Sequence, residues 1–241
     1  MKSEFYYSTD ENVLDWASAQ PLLQVFGPKG ALLATIPRPW TPPFVLFPVA
    51  EIDASSPNPF DKISKNELQR LWWFCERHGD LILRSSVIGE TIWDRGTYES
   101  VVIPSVTIDT MQNALQLAAA EVIASAGSRR TAFVLQDYRK EIFAGEFGNL
   151  LRVSKTRDHW QVNAISETAG SHETPLNTQR DTAANPDQPL AGPITPTNVR
   201  TFGSIAAWIN NELLLGVHNR VSCEWLFDGE QVLIVQIDEE G

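Results

Sequence analysis

Cysteine is scarce in this chain. Only Cys75 and Cys223 occur in 241 residues, and no Cys-x-x-Cys pair is present. That argues against a disulfide framework and a structural zinc site, and fits buried, reduced thiols. Long apolar runs are also missing. Nothing reaches the ~20 residues that span a bilayer, and the opening stretch MKSEFYYSTDENVLDW has no apolar core of a secretory signal. The expectation is a soluble cytoplasmic protein. Basic charge is in short supply, with 19 Lys and Arg against 30 Asp and Glu for a net charge of −11. Nonspecific nucleic-acid or anionic-membrane binding is therefore not expected, although a local basic pocket for a nucleotide fits. Several motifs are absent too: GxxxxGK[ST], GxGxxG after a strand, GxSxG and any zinc-ligand cluster. Their absence disfavours a P-loop NTPase, a Rossmann dinucleotide site, a serine hydrolase and zinc chemistry.

Hydrophobic residues make up 43% of the chain, enough for one sizeable domain or two tightly joined subdomains. In the run VFGPKGALLATIPRPWTPPFVLF, Lys29 stands between Gly27-Pro28 and Gly30 ahead of a short helix over 31–36. Glycines allow close backbone approach, and a helix start offers free N–H groups. The stretch therefore suits an anion such as a phosphate, or is an ordinary loop with a solvated lysine. Prolines 37, 39, 42 and 43 end the helix and lead into a strand over 44–47. Ser64 with Glu67 reads as a capping box before an amphipathic helix containing Leu68, Leu71, Trp72 and Cys75.

Strands are expected over 80–84, 98–103 and 131–136, with a long alanine-rich helix over 110–126 closed by Gly127. A meander follows over 142–147, 150–154 and 160–165. Residues 166–197 are rich in Ser, Thr, Asn, Asp and Pro and read as a long flexible insert. A helix over 202–215 and a hairpin, 221–227 and 231–237 across Asp228-Gly229, complete the chain. Helices and strands mix without strict βαβ alternation, so the expected class is α+β (mixed α/β).

Three separated segments, in order, carry a resemblance. GPKGALLATI with PPFVLF, LILRSSVIGETIWDRGTYES and VSCEWLFDGEQVLIVQ together resemble the ATP-binding domain of phosphoenolpyruvate synthase, pyruvate phosphate dikinase and rifampin phosphotransferase. TAFVLQDY is a fourth, weaker match. The resemblance spans about 20–237 except 166–197. It implies an ATP-grasp-like fold of two subdomains, 1–130 and 131–241, with a nucleotide cleft between them.

What the resemblance implies for the site can be stated residue by residue. Lys29 and Arg84 would contact the ATP phosphates and serve the transfer, although Arg84 also reads as a strand-end arginine paired with a carboxylate. Ser85, Ser86, Glu90 and Gly96 would form a loop over the phosphates, or a plain surface loop. Gln136 and the backbone of Asp137 and Tyr138 would line the adenine slot, or belong to an edge strand. Glu224 and Gln236 would hold Mg²⁺ on one face of the hairpin, while Glu224 could equally be an exposed strand residue.

The sequence departs from that family in three ways. Asp238 stands two residues after Gln236, where the family carries a phosphate-binding arginine, and so brings like charge toward a triphosphate. The family's Gly-Leu-Gly-Glu loop is missing. The chain ends at the domain boundary, and none of His78, His159, His172 and His218 lies in the family's phosphohistidine setting. Two functions follow as expectations. One is an ATP- and Mg²⁺-binding module that works with a phosphohistidine-bearing domain or partner protein. The other is a catalytically degenerate relative that binds nucleotide or protein as a regulatory subunit.

Overall fold

The structure, a computed structural model, describes residues 5–9, 12–49, 60, 63–90, 98–127, 130–141, 143–148, 160–166, 170–176, 196–213 and 220–240. The chain divides into two compact units. The first comprises Met1–Leu14, Ser18–Arg38 and Pro42–Arg139; the second comprises Asp15–Ala17, Pro39–Thr41 and Lys140–Gly241.

In chain order the elements are β1 (Tyr6–Tyr7), α1 (Trp16–Ala19), α2 (Leu23–Leu33), β2 (Phe44–Phe47), α3 (Lys65–His78), β3 (Leu81–Val87), β4 (Ser100–Ile103), α4 (Ile108–Ala126) and β5 (Thr131–Asp137). They continue with β6 (Phe143–Gly148), β7 (Trp160–Ser166), β8 (Gly170–Leu176), α5 (Pro196–Trp208), β9 (Arg220–Phe227) and β10 (Val232–Glu240). The mixed α+β class expected from the sequence is the one observed. No helix among the described residues is long and apolar enough to cross a membrane.

The first sheet has the order β1-β2-β5-β3-β4, with every pairing antiparallel. Period-2 alternation splits it into two faces. One face carries Val45, Phe47, Leu81, Leu83, Phe133 and Leu135, which pack with Leu71 and Phe74 of α3 and with Met111, Leu115 and Val122 of α4. Phe47, Phe60 and Phe133 form a three-ring group with centroids 5.5 to 6.5 Å apart, each pair adding about 0.5–1.5 kcal/mol beyond burial. Burial pushes the Cys75 thiol beside this core up to about 12.

Local chemistry explains the helix limits. The Ser64 side chain accepts from the Glu67 N–H at the start of α3, as the capping pattern requires. Gly127, at φ 66°, closes α4. The helix expected over 31–36 is only partly observed: α2 starts earlier, ends at Leu33 with residues 34–36 in a turn, and is interrupted at Gly27 (φ 70°, ψ 172°). Pro28 is tolerated there because it opens the helical segment after the break, where the N–H it lacks would have no helical acceptor.

The second sheet has the order β10-β9-β6-β7-β8 and is also antiparallel throughout. Phe202 of α5 packs edge-on against Trp225 of β9, with centroids 4.8 Å apart. The hairpin between β9 and β10 turns through Asp228, whose Oδ1 accepts from the N–H groups of Glu230 and Gln231 at 2.9 and 3.0 Å.

Two expectations need correction. The subdomain boundary at 130/131 falls too early: β5 pairs with both β2 and β3, so its hydrogen bonds tie it to the first unit. The insert expected over 166–197 is in part a strand, because β8 pairs along its whole length with β7. Its polar composition hides that role because backbone pairing does not require apolar side chains. The strand expected over 150–154 and Gly96 lie outside the described residues.

Candidate functional site

The glycines around Lys29 have a structural explanation. At φ 70° Gly27 occupies a conformation that side chains resist, and a Cβ there would run into the Oγ and carbonyl of Ser86. The Gly30 N–H donates to Ser86 Oγ at 3.1 Å. The close backbone approach is thus between α2 and β3. Lys29 itself is buried, at 7% exposure. Its Nζ lies 2.7 Å from Glu90 Oε1, with both side chains almost wholly enclosed. Glu90 Oε2 accepts the Val87 N–H at 3.3 Å. The Tyr98 ring lies 5.9 Å from the lysine nitrogen. Lys29 is therefore a neutralised cation held at the end of β3, neither a solvated loop lysine nor an open anion site.

The face of the first sheet turned toward α2 carries the other expected groups. Register places Gln136 between Phe44 and Ile82, and Arg84 opposite Val134 and Ser100. Gln136 and Arg84 are consequently diagonal neighbours on one face. Gln136 is fully buried, and among the described residues neither amide atom has a hydrogen-bond partner. Leaving such a group unsatisfied costs about 1–3 kcal/mol.

Ser85 and Ser86 are buried residues of β3 and do not form a loop over a ligand. Alternation also separates them: Ser86 shares the face of Arg84, whereas Ser85 lies opposite Phe133 on the aromatic face. The main-chain donors expected at an adenine slot are engaged. The Asp137 N–H donates to the Pro43 carbonyl at 2.9 Å and the Tyr138 N–H to the Asp80 carbonyl at 3.0 Å. A base could use them only by opening that end of the sheet.

In the second unit the hairpin register sets Glu224 directly opposite Gln236, so both project from the same face. Glu146 of β6 lies opposite Glu224 on its other side. The result is a row of two carboxylates and one amide. A register irregularity between Ile234 and Gln236 brings Gln236 into this row. The Gln236 amide nitrogen donates to both oxygens of Asp238, at 3.1 and 2.9 Å. Asp238 therefore orients the amide and leaves the carbonyl oxygen of Gln236 to face other partners. Leu226, Leu233 and Val235 make a small apolar cluster with Ala144 beside the row.

Oxygen-only ligands of this kind suit Mg²⁺. Among the described residues no group of three His, Cys, Asp or Glu side chains is arranged to hold a metal ion. Mg²⁺ here would need oxygens from a ligand such as a phosphate. Glu146 was not anticipated, because strand residues far apart in sequence become neighbours only through register.

No protein-family model and no curated protein matches the chain. Among solved structures the chain is similar to D-alanyl-alanine synthetase A from Vibrio cholerae (TM-score 0.43, 8% identity, 83% of this chain and 50% of that one). It is also similar to the D-alanine-D-alanine ligase from Coxiella burnetii (0.41, 12%, 94% and 47%) and to Methanosaeta concilii ATP citrate lyase in complex with (3S)-citryl-CoA (0.42, 8%, 81% and 42%). The chain spans half or less of the length of each of these three. Superposition at this level carries no inference about activity.

Proposed function

We propose that the chain is an ATP-grasp-like, ATP-binding module of a dikinase-type phosphotransferase, related to phosphoenolpyruvate synthase. It moves a phosphoryl group from Mg·ATP toward a histidine on another domain or chain. The observation that supports this reading best is the hairpin register: Glu224 faces Gln236, and Asp238 turns the glutamine amide so that its oxygen is left for a cation. The family arginine is absent, but its replacement has a positioning role instead of a merely repulsive one.

In the first unit Lys29 and Arg84 supply the positive charge that phosphoryl transfer demands. Lys29 reaches phosphate by exchanging Glu90 for a phosphate oxygen, a like-for-like replacement of one anion by another. Glu224 and Gln236 hold Mg²⁺, which neutralises phosphate charge. The Gln136 amide, buried without a partner, is a specificity group for a polar ligand edge. No residue selects among pyruvate, an antibiotic hydroxyl and a sugar as final acceptor. The second reading, a degenerate regulatory relative, is favoured by the closed Lys29–Glu90 pair, since an internal carboxylate already occupies the lysine.

Calorimetric titration with ATP, with and without Mg²⁺, separates the two. Binding that requires Mg²⁺ and is lost in both Lys29→Ala and Glu224→Gln is the expected result for the phosphotransferase module. No heat and no thermal shift at millimolar nucleotide would leave the regulatory reading, with protein partners as its ligands.

A further inference from the structure

A cavity of about 520 Å³ lies within the first unit, between β1 and the outer face of α3. It is separate from the side chains of the candidate site. Lys29, Arg84 and Gln136 lie on the α2 side of the first sheet and Glu224 and Gln236 in the second unit, whereas α3 packs on the opposite, aromatic face, where His78 approaches Asp137. Helical spacing builds its wall: Arg70, Trp73 and Arg77 recur at three- and four-residue intervals along α3, Phe74 and His78 lie four apart beside them, and Tyr7 of β1 also lines the cavity.

Each wall residue brings a distinct chemistry. Trp73 is 60% exposed, the one aromatic among the exposed large hydrophobic side chains of the described residues. Arg70 is held flat, its guanidinium 4.2 Å from the Tyr7 ring centroid and Nη1 3.0 Å from Glu67 Oε1. Tyr7 donates its hydroxyl to Glu67 Oε2 at 3.2 Å, so Glu67 balances Arg70. Arg77 is exposed at the rim beside Glu76. The His78 ring lies tilted against Phe74, with centroids 4.5 Å apart, and its Nδ1 lies 3.7 Å from Asp137 Oδ2. Its Nε2 is buried without a hydrogen-bond partner among the described residues.

We propose that this cavity binds a small planar aromatic monoanion, an aromatic carboxylate. The volume falls in the range of small-molecule sites, about 300–1,000 Å³. An exposed indole face beside an arginine suits a flat ring that carries a negative group. With Arg70 balanced by Glu67, Arg77 is the cation that recognises the carboxylate. Glu76 at the rim disfavours polyanions such as a nucleoside triphosphate. The orphaned Nε2 of His78 supplies the buried polar contact that a bound ligand satisfies.

The probe is 1-naphthoate, titrated by calorimetry into the full chain. Trp73→Ala and Arg77→Gln alter exposed side chains and leave the fold intact, which circular dichroism verifies. Saturable submillimolar binding is expected, weakened about tenfold or more by Arg77→Gln through loss of the charge-assisted bond, weakened also by Trp73→Ala, and not reproduced by neutral 1-naphthylmethanol. Absence of saturable heat at millimolar 1-naphthoate overturns the proposal. So does binding that Arg77→Gln leaves unchanged, or equal affinity for the neutral analogue.

Discussion

The two faces of the first sheet are made by the same strands, yet they differ in kind. The face under α3 and α4 is apolar where those helices pack, with Phe47, Leu83, Phe133 and Leu135 at 0% exposure. The face under α2 is less completely enclosed, with Ile82 and Arg84 half-buried, and holds Ser86 and Gln136 buried among its apolar residues, with the Lys29–Glu90 ion pair at its edge. Burying polar groups works against stability unless every one is satisfied. The first face therefore resembles a structure optimised for cohesion, and the second one in which cohesion has been given up for chemistry. The contrast supports the proposed phosphate contacts on the α2 side.

That contrast can be broken from either side. Phe133→Ala on the apolar face should cause the largest loss, about 3–5 kcal/mol by chemical denaturation, because it removes a fully enclosed ring from a three-ring group. Glu90→Gln on the other side should cost about 3 kcal/mol, because it strands a buried ammonium. Unlike the phenylalanine variant, it should recover stability when Mg·ATP is added, as a melting curve with and without nucleotide would show. A loss that nucleotide does not reverse would make the pair purely structural.

Gly27→Ala should cost about 1–3 kcal/mol, since the new methyl group both enters a positive-φ conformation and meets Ser86. The smallest change has the opposite sign. Gln136→Met should raise stability by about 1 kcal/mol by removing an unsatisfied amide. If the amide serves a ligand, the same variant should weaken nucleotide binding. Stabilisation with unchanged affinity would put the glutamine outside the site.

Much of the local structure was legible from the residues alone. Ser64 with Glu67 announced the start of α3, Gly127 the end of α4, and Asp228-Gly229 the turn of the hairpin, because caps and turns depend on side chains only a few residues apart. The facing of Glu224 and Gln236 was legible for the same reason, as a short hairpin leaves few registers open. Residues whose meaning depends on distant partners were misjudged. Ser85 and Ser86 were grouped as one loop, although a strand sends them to opposite faces. Asp238 was weighed as a repulsive charge, although it anchors an amide. The glycines flanking Lys29 were read as an anion-binding turn or an ordinary loop, although they let α2 approach β3.

By itself, then, the sequence determined the α+β class, the caps, the turns and most strand positions, because these follow from propensity and from contacts within a few residues. Only the tertiary structure decided that β5 belongs with the first unit, that Glu90 claims Lys29, that Glu146 joins Glu224 and Gln236 in one row, and that Trp73, Arg77 and His78 border a cavity. Each of these joins residues that share a neighbourhood only after register and packing are set, and no local propensity encodes such a pairing.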